Sequence, residues 1–230
     1  MQDWLALHGM EAAAVIQWCR TARDWPAPTA PTGPPLGALD LAAALRTQVL
    51  PAFTALLGPP AGSLDAIRIV RSAHNCTVRD TETGQPVVRL VWTGDAASLL
   101  VLAHEIAHAG QMLLSAGCGL MPPVAREVCA ITGEMALLDH ARATDEALGA
   151  ALSSAWAHDT RKRLAGAERL AAALASPKTS RYAYDHNYPL ACAAAWARRN
   201  LPSAAQAALF ASGAAAMTHL ALPPPPGDTQ

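Results

Sequence analysis

Charge is what this chain has least of. Only 15% of its 230 residues are Asp, Glu, Lys or Arg, and they nearly cancel, to a formal net charge of −1. That balance gives no electrostatic footing for a phosphate backbone or an anionic lipid surface, so neither nucleic acid nor a membrane is expected as a partner. Aromatic residues are scarce too, at 5%. With alanine used heavily instead, the implied class is a compact, mostly helical, soluble protein. The five cysteines, Cys19, Cys76, Cys118, Cys129 and Cys192, are odd in number and scattered, and no two stand in a CxxC pair. Neither a disulfide framework nor a zinc ribbon is indicated. No stretch reaches the roughly 18 uninterrupted apolar residues expected of a bilayer span. The nearest approach, 207–222, is broken by Ser212, Thr218 and His219. The opening residues, MQDWLALHGMEAAAVIQWCR, lack the basic start and small-residue cleavage site of a secretory leader. These absences lead to the expectation of a single cytoplasmic domain with one core, and they leave its oligomeric state open.

What is present is a succession of helical patterns around one short β-rich interval. Residues 3–20 predict an amphipathic helix with Trp4, Leu5, Val15, Ile16 and Trp18 as its apolar positions. WPAPTAPTGPPLG, 25–37, is too rich in proline for a helix or a central strand and reads as a linker or wrapping segment. A helix over 41–57 is stopped by Gly58-Pro59-Pro60. AIRIVRS, CTVRD and PVVRLVW, between 66 and 93, are β-branched and alternating, with TETGQ as a turn, and predict a sheet of two or three strands. Asp95 then caps a long helix. A second long helix is predicted from about 124 to the 150s and a third over 160–175. After the polar loop SPKTSRYAYDHNYP come helices near 190–199 and 202–220, and a PPPPGDTQ tail expected to be disordered. The fold class is therefore mostly α with a small β-sheet, one domain over 1–230. Residues 1–65 supply N-terminal helices and the proline-rich segment, 66–220 the core, and 221–230 the tail.

The chemistry gathers in LLVLAHEIAHAG, 99–110. Burying two imidazoles and a carboxylate in so apolar a helix costs several kcal/mol unless something partners them. His104 and His108, four residues apart, project from one helix face a turn apart, which suits two nitrogen ligands on one zinc ion. Glu105 between them is placed to accept a proton from metal-bound water. A zinc hydrolase needs a third ligand and an open fourth position. Glu127 follows His108 with eighteen residues between, enough for the helix to end, turn at GCGLMPP and return as an antiparallel partner. Glu134, two turns further along that partner, suits a hydrogen bond from a histidine N–H. Two histidines and a carboxylate are also the ligand set of non-haem iron oxygenases. Fe2+ and a hydroxylase therefore stand as the alternative to Zn2+, beside a catalytically silent protein that keeps its ion for structure. His8, His74, His140, His158 and His219 have no ligand spacing and read as surface or capping residues.

VVRLVWTGDAASLLVLAHEIAHAGQ, 87–111, resembles the strand–turn–helix segment of the thimet oligopeptidase and oligopeptidase F family of gluzincin metallopeptidases. AREVCAITGEMALLDH, 125–140, resembles the second helix of that family, which supplies the third zinc ligand. The resemblance covers about residues 66–198. It implies a zincin-like core with one Zn2+ ion held by His104, His108 and Glu127, Glu105 as general base, and hydrolysis of a peptide substrate. Ala107 stands where that family has glycine, and Gln111 where it has histidine. Neither change removes a ligand, and both bear on the substrate. RYAYDHNYP, 181–189, holds every tyrosine of the chain. Peptide hydrolysis develops negative charge on a tetrahedral oxygen, which a phenol O–H or an imidazolium can stabilise, and the family has a tyrosine-rich segment for it. Tyr188 is the first choice for that donor, with Tyr184 and His186 behind it. A short chain suits a short or dedicated peptide substrate.

Overall fold

The computed structural model describes residues 1–21 and 37–220; nearly all of the proline-rich stretch and the C-terminal tail lie outside the described residues. Two short helices open the chain, α1 (Gln2–His8) and α2 (Ala12–Thr21), where the apolar pattern predicts one. Gly9 divides them. At φ 60° it takes the left-handed conformation that ends a helix, and the Met10 N–H returns to the Leu5 carbonyl. Helix α3 (Leu41–Leu57) begins where Asp40 accepts the Ala43 N–H, contains a π-helical turn at Leu45–Val49 and stops at Gly58.

A 3-10 segment, Pro59–Ala66, leads into β1 (Arg68–Arg71), β2 (Cys76–Arg79) and β3 (Pro86–Leu90). The order is β1-β3-β2, with β3 parallel to β1 and antiparallel to β2. The apolar run of β3 is buried as a central strand should be, while β2 forms an edge with Thr77 opposite Val88. The predicted turn forms around the Asp80 carboxylate, which accepts the N–H groups of Glu82 and Thr83.

Asp95 accepts the Ser98 N–H at 2.8 Å and starts α4 (Ala96–Leu114). Then come α5 (Pro123–Thr144), α6 (Glu146–Leu164) and α7 (Ala167–Ala175). The predicted break near 160 lies elsewhere. Asp145 leaves the helical conformation and its carboxylate accepts the Leu148 N–H, which ends α5 and starts α6. A 3-10 turn, Tyr184–Asn187, precedes α8 (Tyr188–Arg198), and α9 (Ser203–Ala211) with a further 3-10 segment, Gly213–His219, closes the described chain. The chain is mostly helical with a small three-stranded sheet. By length and composition α4 is the one helix among the described residues able to cross a membrane, but most of it is buried against β3, α5 and α6. Residues 207–222, singled out above, fall on α9 and the 3-10 segment as far as they are described.

Helices α4 and α5 run antiparallel, with His108 facing Glu127 and His104 facing Glu134. Small residues bring their axes close. A Cβ on Gly133 would lie 2.7 Å from Phe53 Cζ and 2.9 Å from Ala107 Cβ. The methyl that Ala107 carries is thus received by the missing side chain at 133. Gly133→Ala is expected to destabilise the fold, because overpacking of about 1–3 kcal/mol outweighs a helix-propensity gain of up to about 1 kcal/mol. A lower urea midpoint at unchanged m-value checks this; an equal or higher midpoint would mean that Phe53 and α4 give way freely.

Candidate metal centre

Three side chains from the α4–α5 pair converge. His104 Nε2 and His108 Nε2 lie 3.1 Å apart, and each sits 3.5 Å from its own oxygen of Glu127, Oε2 and Oε1 respectively. A tetrahedral ion with bonds of roughly 2.0–2.1 Å sets its ligand atoms roughly 3.3–3.4 Å apart; the two nitrogens are close to that edge, and one Glu127 oxygen lies within 4.8 Å of both. Among the described residues this is the one cluster of His, Cys, Asp or Glu able to hold a metal ion. The electronic state fits as well. His104 Nδ1 lies 2.7 Å from Glu134 Oε1, and with Nδ1–H as the donor the Nε2 lone pair is the one that faces the cluster. Although burial lowers the His104 pKa, Glu134 and Glu127 raise it above the ordinary histidine value, so an ion bound at Nε2 would replace a proton there. Burial, helped by His104 and Arg126, holds the His108 pKa well below the ordinary histidine value, so its imidazole is neutral. Glu127 is almost wholly buried, and its Oε2 has no hydrogen-bond partner. An orphaned carboxylate oxygen is costly to bury, and a cation between it and the two imidazoles removes that cost.

The surroundings fix these ligands in place. Glu134 is buried and accepts two bonds of 2.7 Å from the Arg163 guanidinium, so α6 clamps α5 behind His104. Although burial alone would raise the Glu134 pKa, Arg163 and His104 hold it down to about 2. Tyr184 donates its hydroxyl to Glu127 Oε1 at 2.6 Å. Glu105 is buried on the same helix turn as the histidines, and Thr77 Oγ1 stands 2.8 Å from its Oε2 and 2.9 Å from its carbonyl oxygen. Burial raises the Glu105 pKa, against the opposing pull of His104 and Thr77. The shift moves the carboxylate toward the range in which a general base works near neutrality.

The cluster opens into a cleft of about 230 Å³ lined by Thr77, Glu105, Met112, Arg126, Tyr184 and Tyr188 around the ligands. Of the three donors proposed from the tyrosine-rich stretch, Tyr188 and Tyr184 reach this cleft and His186 does not. The His186 imidazole accepts the Ala183 N–H at 3.2 Å in its own 3-10 turn and is buried there, which turns it from the metal ligands. Tyr184 is engaged with Glu127, whereas the Tyr188 ring lies beside Arg163 with its hydroxyl bound to no described group. Burial and Glu127 raise the Tyr188 pKa, so the phenol keeps its proton. Sequence reasoning missed Thr77 and Arg163. For Arg163 a signal existed. Leu152, Trp156 and Thr160 are buried on α6 at helical spacing, and 163 continues that face. His8, read as a surface or capping residue, is a buried cap: Val124 N–H at the start of α5 donates to its Nε2 at 3.1 Å.

No protein-family model, no curated protein and no solved structure was found to match this chain. The site's own geometry therefore carries the functional argument.

Proposed function

We propose that this protein is a zinc-dependent metallopeptidase built on a zincin-like core, acting in the cytoplasm on a short or dedicated peptide. The observation that carries the reading is the convergence of one ligand atom each from His104, His108 and Glu127 within 4.8 Å, with the Glu105 carboxylate on the same cleft wall. When bound there, zinc supplies Lewis acidity toward water and toward a substrate carbonyl. Glu105 takes a proton from the attacking water and passes it to the departing amine. Thr77 holds that carboxylate in the cleft. Tyr188 donates its hydroxyl to the oxygen on which negative charge develops. Tyr184 holds Glu127 in line with the histidines. The edge strand β2 borders the cleft through Asn75, Cys76 and Thr77, so an extended peptide can lie against it as an added strand. The five free cysteines accord with a reducing compartment.

A base beside the ligands is what a hydrolase needs and an iron oxygenase does not use, and this favours zinc over the Fe2+ alternative. The test is incubation of the zinc-loaded protein with a diverse peptide pool, followed by mass spectrometry. Cleavage that stops on chelation and returns with zinc is expected. An intact pool, or oxygen consumption by the iron-loaded protein, overturns the reading. One ion per chain is expected in the parent and none in His108→Ala, whose melting temperature should also fall when excess zinc is present, since binding to the native state stabilises by mass action. Glu134→Gln should keep the ion with roughly 10–100-fold weaker affinity. Full metal stoichiometry in His108→Ala would remove that histidine from the site.

A further inference from the structure

We infer that a second cavity, adjoining the metal cleft, receives a carboxylate of the substrate, and that Arg126 is the residue that selects it. This rests on the reading of the cleft as the place where a peptide is held. The cavity has a volume of about 360 Å³ and shares Met112 and Arg126 with the metal cleft as a common wall. Its lining holds two guanidinium groups, Arg79 and Arg126, and no carboxylate. Gln111, one of the two departures from the resembled family, lines it too, with its amide tied to Ser115 Oγ at 2.7 Å.

Arg126 is the unusual member. Its Nε is buried without a hydrogen-bond partner, and its guanidinium stands 5.9 Å over the Tyr184 ring without an ion pair to any described carboxylate. The neighbouring Arg163 shows the contrast, for it is held by both oxygens of Glu134. One arginine of the region is thus satisfied within the fold and the other is left for something outside it. The Nε is sealed from solvent, but the Nη groups are neither sealed nor bonded to a described acceptor, and they are the donors a ligand in the cavity can reach. A carboxylate suits the planar fork of donors better than any neutral group. Arg79 adds a second positive charge at the rim, pinned by its bonds to the Gly84 and Met112 carbonyls. Arg126 also sits in the first turn of α5, where the helix itself favours an anion. The carboxylate can belong to an acidic side chain or to a free peptide C-terminus.

Two measurements on the zinc-loaded protein test this. In the first, the guanidinium resonances of Arg126, with Nε–H as reporter of the Nη groups and assigned by its loss in Arg126→Lys, are followed during titration with N-acetyl-glutamate amide, N-acetyl-glutamine amide, and N-acetyl-dialanine as free acid and as amide. Saturable shifts with a carboxylate probe and none with its matched amide are expected. The probe that shifts it at lower concentration tells side chain from C-terminus. No shift with either acid, or equal shifts with acid and amide, overturns the proposal. In the second, kcat/KM is compared for peptide pairs that differ only in carboxylate against amide at one position. A charge-assisted bond implies a preference of roughly 10- to 100-fold for the acid, collapsing toward unity in Arg126→Gln and partly kept in Arg126→Lys. No preference in the parent, or the same preference in Arg126→Gln, also overturns it. Failure of every peptide to be cleaved counts against the peptidase reading instead, and the titration still decides the role of Arg126.

Discussion

Glu105→Gln is expected to hold zinc at full stoichiometry and to lose about 10²–10⁴-fold in peptide hydrolysis, the usual worth of a positioned acid–base group. The substitution preserves size and shape in a buried position, and the amide oxygen can still accept from Thr77 Oγ1. What disappears is the ability to take and return a proton. Glu105 is adjacent to His104 but is not among the converging ligand atoms, so its loss should leave the ion in place. Metal analysis and single-turnover hydrolysis separate the two effects, and uncleaved peptide should accumulate on the variant. A variant that keeps its rate within about threefold would strike the base from the mechanism. One that contains iron and still consumes oxygen would replace the mechanism altogether.

The largest effect on stability is expected at Arg163. Arg163→Met leaves the Glu134 carboxylate, 2% exposed, with His104 as its remaining partner. Removing one partner of a buried ion pair typically costs about 3–5 kcal/mol, because the charge left behind is uncompensated. In the variant, the burial that raises the Glu134 pKa is opposed by His104 alone, so the carboxyl escapes part of that cost by taking up a proton. A protonated Glu134 would in turn support His104 Nδ1–H poorly, so zinc affinity should fall with stability. Urea unfolding of the chelated protein reads the first effect free of the second. Glu134→Leu combined with Arg163→Met should recover most of the lost stability, since a pair replaced by apolar groups of similar volume is often neutral. A loss of under about 1 kcal/mol in Arg163→Met would show that solvent reaches the pair.

The ligand cluster is legible in the sequence because helical spacing alone puts His104 beside His108, and one turn of chain brings Glu127 back to them. Glu134 follows from the same periodicity, seven residues on. Thr77 is not legible, since its role depends on how the sheet edge lies across α4, and alternation within CTVR tells only which side chains share a face. Arg163 continues the face of Leu152, Trp156 and Thr160, but its setting in RKRL, where three basic residues of the last turn read as a solvated helix end, outweighs that signal. The tyrosines were visible as a group but not as individuals. Which ring enters the cleft depends on a 3-10 turn over Tyr184–Asn187 that no period announces. The helix boundaries at Gly9 and Asp145 were overrun because apolar periodicity continues across them, while the capping residue decides where the backbone turns.

All three residues of the candidate ligand cluster come from one helical hairpin, α4 and α5 with the loop between them. The Glu105 carboxylate is steadied by a strand, the tyrosines arrive with a later turn, and the counter-charge behind His104 comes from α6. The candidate ligand set therefore comes from one contiguous piece of chain, while the groups that orient it, Arg163 through Glu134 and Tyr184 on Glu127, are attached around it. In the peptidase reading proposed above, the loop at 72–75 can be rewritten to address new peptides, while 176–187 must keep Tyr184 on Glu127.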